Sequence, residues 1–159
     1  LGILPRVCGL EEQMSLMQSN RLGPGSAEPI VRTGRGVHES YPAIAGSIPQ
    51  ARNAITRFAA ACGASEEQLH AIRLATSEAL TNVVQYAYPA RSGSIHVTGR
   101  IAGSELWVLI ADSGCGIHAG RDSEGLGLGL ALIAQMTDGF SVVERSAGGT
   151  ELRLRFVLD

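Results

Sequence analysis

The chain contains no lysine: all 13 of its Lys+Arg residues are arginine. A phosphate-binding P-loop needs the lysine of G-x-x-x-x-G-K-[ST], and a eukaryotic-type protein kinase needs its strand lysine, so both are excluded. Aromatic residues are scarce at 4%, which leaves Leu, Val, Ile and Ala to build the core. Cys8, Cys62 and Cys115 are scattered and form no C-x-x-C pair. That spacing argues against a zinc site or a disulfide framework, and it suits a reducing, cytoplasmic compartment. His38, His70, His96 and His118 share no metal-ligand spacing either. No apolar run approaches the ~20 residues of a membrane span, so no membrane partner is expected. A formal net charge of -2 lacks the basic excess of a general nucleic-acid binder.

The 159 residues suit one domain. Residues 1–36 read as a flexible extension, with Gly, Pro, Ser and Arg crowding its second half without a period. From residue 37 the signals sharpen, starting with a strand over 38–45. Ser47 before Ile48 and Pro49 reads as a helix N-cap with proline in the first turn, and the helix ends at Cys62-Gly63. Ser65-Glu66-Glu67-Gln68 is a capping box. It opens a helix whose apolar stripe is Leu69, Ile72, Thr76, Ala79, Leu80, Val83 and Ala87, halted by Pro89. Residues 94–101 and 106–111 read as a hairpin about Ala102-Gly103-Ser104. A helix over 129–137 and strands over 140–145 and 151–158 complete the chain, with Trp107 expected in the core. The β-α-α-β-β-α-β-β order predicts an α+β, two-layer sandwich of a mixed β-sheet covered on one face by helices.

Three segments carry candidate chemistry. Glu78 and Asn82 are four residues apart and share a helical face. A carboxylate beside an amide oxygen suits Mg²⁺ and water, although a solvated polar pair has the same spacing. Asp112-Ser113-Gly114-Cys115-Gly116-Ile117 follows an apolar strand. Its carboxylate could accept a hydrogen bond from an exocyclic base amino group, and its glycines allow close approach of a flat ligand; an ordinary hairpin turn reads alike. Gly125-Leu126-Gly127-Leu128-Gly129 runs into a helix, where free N–H groups form an anion cradle or simply permit tight helix packing.

Taken in order, and with Gly149-Thr150 near the end, these segments resemble the GHKL superfamily of gyrase, histidine kinases and their relatives. The stretch Ile72-Arg73-Leu74-Ala75-Thr76-Ser77-Glu78-Ala79-Leu80-Thr81-Asn82, continuing to Tyr86-Ala87-Tyr88, is similar to the corresponding helix of bacterial anti-sigma-factor serine/threonine kinases. Tyr86 stands where that family often has histidine, and the lid over 117–125 is short. The resemblance implies an ATP- and Mg²⁺-using kinase domain over residues 37–159. Glu78 would be the general base and Asn82 the Mg²⁺ ligand. Asp112 would hold the adenine amino group, with Thr150 assisting through water. Gly114, Gly116 and Ile117 would sit against the base. Backbone N–H groups of Gly125, Leu126, Gly127, Leu128 and Gly129 would bind phosphates, with Arg121 as the candidate lid cation. The implied partners are a sigma factor, an anti-anti-sigma protein phosphorylated on serine, and a second copy of the chain, for which the first strand offers an edge. An ATP-gated binding module with negligible phosphoryl transfer is the alternative.

Overall fold

The computed structural model describes residues 36–115 and 126–159. The expectations for residues 1–35, and for Gly116, Ile117, Arg121 and Gly125 within 116–125, lie outside the described residues. Five strands and three helices follow in the expected order: β1 Gly36–Pro42, α1 Ser47–Ala61, α2 Glu66–Asn82, β2 Ser94–Ala102, β3 Glu105–Asp112, α3 Leu126–Met136, β4 Gly139–Glu144 and β5 Thr150–Val157. The first strand thus begins at Gly36. No helix among the described residues is long and apolar enough to cross a membrane.

The two-layer α+β architecture is as expected, but the sheet is not mixed. Its order is β1-β2-β3-β5-β4, and all four pairings are antiparallel. The reason lies in the return path. Helix α3 brings the chain back so that β4 points the same way as β3, which would make a parallel pair if they were neighbours. Strand β5 inserts between them and reverses both contacts.

Period-two alternation puts Ile95 and Val97 of β2, Val108 and Ile110 of β3, and Leu152 and Leu154 of β5 on one face, where the helices bury them completely or nearly so. Every member of the predicted α2 stripe is buried as well. The capping box forms in both directions: Gln68 N donates to Ser65 Oγ at 3.3 Å, and Ser65 N donates to Gln68 Oε1 at 2.9 Å. The amide of Gln68 also donates to the Val157 carbonyl at 2.9 Å, tying the helix start to the end of β5.

Helix α1 differs at its start. Its N-cap is Gly46, without a side-chain cap bond, and Ser47 is already helical and buried. The preceding turn, in which Ser47 N donates to Ile44 O at 3.0 Å, does the work a serine cap would have done. At the other end Gly63 has φ 95°. Ala64 N donates to Ala59 O and Gly63 N to Ala60 O, each at 3.1 Å, the paired bonds of a glycine-terminated helix. Trp107 is the other departure. It lies on the sheet face away from the helices, half-buried, donating to Glu105 Oε2 at 3.1 Å. Strand β3 is an alternating strand, and position 107 falls opposite the Leu106 and Val108 core positions.

Candidate functional site

Helix α2 presents Glu78 and Asn82 one turn apart, where α3 packs against it. The contact is made by Gly129. A Cβ added there would lie 3.2 Å from Glu78 Oε2 and 3.4 Å from Asn82 Oδ1. Glycine therefore lets the α3 backbone approach two polar side chains while leaving no methyl over them. Asn82 is 5% exposed, and its Nδ2 has no hydrogen-bond partner among the described residues. A buried, unsatisfied amide costs about 1–3 kcal/mol, so it marks a position that a ligand can repay. The O and N ends of such an amide are set by the hydrogen-bond network, and a half-turn about its last bond presents the oxygen instead. An amide oxygen beside a carboxylate is a suitable donor set for a hard divalent cation such as Mg²⁺.

Asp112 closes β3 and is 2% exposed. Its Oδ1 accepts from Gly114 N at 2.8 Å and from Thr150 N at 3.3 Å. Both of these bonds end on one oxygen, Oδ1. Burial raises its carboxyl above the ordinary value, opposed by the two backbone N–H bonds and the nearby Arg145 charge. Two glycines make this packing possible. A Cβ on Gly114 would lie 2.0 Å from the Ala87 carbonyl oxygen, and one on Gly149 would lie 2.0 Å from that of Asp112.

The two groups of residues are joined through the end of α2. Beyond Asn82 the chain widens into a π-helical turn, Val83–Ala87, a local expansion often found at functional sites. The Ala87 carbonyl at its end accepts from Cys115 N at 2.9 Å. Tyr88 follows, donating its hydroxyl to Ser94 O and accepting from Ser113 N, both at 2.8 Å. Gly93 makes room for that ring, since a Cβ there would meet it at 2.1 Å. Arg91 stands 5.6 Å from the same ring centroid and donates to Ser113 O at 3.1 Å. The loop after Asp112 is thus stapled to the helix that carries Glu78 and Asn82.

Among the expected site residues, Glu78, Asn82 and Gly129 meet directly, and Asp112, Gly114 and Thr150 form a second hydrogen-bonded group. Leu126, Gly127 and Leu128 all belong to the first turns of α3, and Leu128 is 80% exposed. Cys115 is exposed, its thiol donating to the Tyr86 carbonyl at 3.4 Å. Tyr88, Arg91 and Arg145 escaped the sequence reading. Tyr88 was visible inside the matched helix stretch, but the arginines bond to backbone carbonyls and leave no pattern. His38 and His96 lie on the sheet face away from the helices, paired with Thr98 Oγ1 and Ser40 Oγ at 2.7 and 2.8 Å.

A family described as "Histidine kinase-like ATPase domain" matches residues 41–156. The chain is 24% identical to a protein named Anti-sigma F factor from Clostridium acetobutylicum, over 66% of this chain and 81% of that one. It is 26% identical to the protein of the same name from a Thermoanaerobacter species, over 65% of this chain and 80% of that one. A crystal structure of the RsbU and RsbW domains of a Mycobacterium tuberculosis protein superimposes with a TM-score of 0.62 at 23% identity. That match covers 79% of this chain and 33% of the other, so this chain spans about a third of that structure, and the likeness is one of fold.

Proposed function

The chain belongs to the histidine kinase-like ATPase domain family, and from that membership we propose an ATP-dependent protein serine/threonine kinase that acts as an anti-sigma regulatory factor. The family carries ATP binding. The relatives named Anti-sigma F factor support a sigma factor as partner, and the proposal adds its antagonist and a second copy of the chain. The observation that carries the reading is Gly129, whose missing side chain leaves no methyl over Glu78 and Asn82.

In this reading Oδ2 of Asp112 accepts the adenine 6-amino group, and Thr150 assists from the same wall. Gly114 sits against the base beside Gly116 and Ile117. Backbone N–H groups of Gly125, Leu126, Gly127, Leu128 and Gly129 cradle the phosphates, with Arg121 as an additional cation. Asn82 holds Mg²⁺, which when bound offsets phosphate charge. Glu78 takes the proton of a serine hydroxyl on the antagonist as that oxygen bonds to the γ-phosphorus and the bond to the bridging β-phosphate oxygen breaks, releasing ADP. Little covalent chemistry is asked of the protein, so positioning and charge suffice without lysine.

The test is incubation with γ-labelled ATP and a cognate antagonist. Label on one antagonist serine, lost in Glu78→Ala while ATP still binds, supports the kinase. Absence of label from a wild type that binds ATP, with partner affinity still ATP-dependent, replaces it by a nucleotide-gated binding module.

A further inference from the structure

The β4–β5 hairpin grips Asp112 at two points. Thr150, the first residue of β5, gives its N–H to the carboxylate. Arg145, just past the end of β4, gives Nη1 to the Asp112 main-chain carbonyl at 2.7 Å and to Ser113 Oγ at 3.3 Å. The two residues are locked to each other, for Arg145 N donates to Gly149 O at 3.0 Å and Gly148 N to Arg145 O at 2.9 Å. Gly148 and Gly149, with φ 93° and 92°, turn the loop tightly enough to reach. A carbonyl bonded at 2.7 Å by a planar, permanently charged guanidinium has little freedom to shift. The bond thereby restrains the backbone that carries the carboxylate.

We propose that Arg145 is a positioning residue for base selection: by fixing the Asp112 backbone it holds the carboxylate where it accepts a purine 6-amino group and repels a 6-oxo group. The inference rests on the adenine-reading role of Asp112. Arg145 touches no nucleotide in this scheme, so its removal changes the preference between bases more than the affinity for triphosphates in general.

The experiment is calorimetric titration of the protein with Mg·ATP and Mg·ITP, which differ in the 6-amino and 6-oxo groups, together with a thermal melt of each variant. The wild type prefers ATP by on the order of ten-fold or more, the scale of one hydrogen bond to a charged acceptor. Asp112→Asn removes or inverts that preference, since an amide can face either group. Arg145→Ala brings the ratio down by roughly five-fold, and Arg145→Lys, whose single ammonium cannot reproduce the guanidinium fork, falls between. If Arg145→Ala does not fold, the Lys variant decides alone. Equal affinity of the wild type for both nucleotides overturns the Asp112 reading and this inference with it. A wild-type preference that Asp112→Asn abolishes but both Arg145 variants retain, even with weaker binding overall, overturns the Arg145 role alone.

Discussion

Replacing Gly129 with alanine separates folding from function in opposite directions. Gly129 lies within α3 and no positive φ constrains it, so alanine gains helix propensity of about 1 kcal/mol. Against that gain stands the new methyl, 3.2 Å from Glu78 Oε2 and 3.4 Å from Asn82 Oδ1, where neighbours must give way by a few tenths of an ångström. Glu78 is only half-buried and can swing aside, so the strain costs less than the propensity returns. Net stability rises by roughly 0.5 kcal/mol, or about 1–2 °C in melting temperature for a domain of this size. Phosphoryl transfer moves the other way. Displacing a general base and a metal ligand by a fraction of an ångström lowers turnover by on the order of ten-fold. The assay pairs a thermal melt with antagonist phosphorylation at saturating Mg·ATP. Undiminished turnover in a stabilised Gly129→Ala protein would falsify the assignment of the Glu78–Asn82 edge as the reacting side of the pocket.

Asp112→Asn weakens ATP binding by roughly 10- to 100-fold in titration, the worth of one charged hydrogen bond. The same substitution changes the pH profile of stability. Burial raises the Asp112 carboxyl above its ordinary 3.8, so folding favours the protonated form. Its ionisation costs stability as pH climbs from 3.8 through the raised value, and the cost is constant above it. Asparagine has no such cost, and its Oδ1 can accept the same two N–H bonds. The nucleotide-free variant therefore gains on the wild type across that window, and a gap that shrinks with rising pH contradicts this account. Gly149→Ala meets both a positive φ and a carbonyl 2.0 Å away, so its urea midpoint drops by an amount equivalent to more than ~2 kcal/mol. Ser65→Ala loses one half of the capping box and about 1 kcal/mol of stability, while ATP affinity measured by titration stays as in the wild type.

The legible parts of this molecule are those in which residues close in sequence settle the outcome. The capping box needs only Ser65 and Gln68, three positions apart, and the α2 stripe needs only a helical period. Both form as read. The strand order was not legible, because nothing within β4 or β5 states which of them will lie beside β3. A large aromatic in an apolar run suggests a core position for Trp107, whereas its place in the alternation sends it to the sheet face away from the helices. In the site, Asp112, Asn82 and Glu78 stood out through residue type and spacing. Arg145 did not, since its main partner lies 33 residues away and is a carbonyl that every residue possesses. The Gly129 contact was readable only as a glycine-rich helix start, not as an opening over Glu78.

The place of β5 has a consequence for biosynthesis. It is made after both β3 and β4, yet it occupies the sheet between them. Until it leaves the ribosome, β3 keeps a naked hydrogen-bonding edge and Asp112 lacks the Thr150 amide. A nascent chain stalled in the β4–β5 turn therefore has all three described helices but an unfinished wall around Asp112, and its open strand invites mispairing with other chains. Nucleotide can help stabilise the native domain only after that strand slides home between its two neighbours.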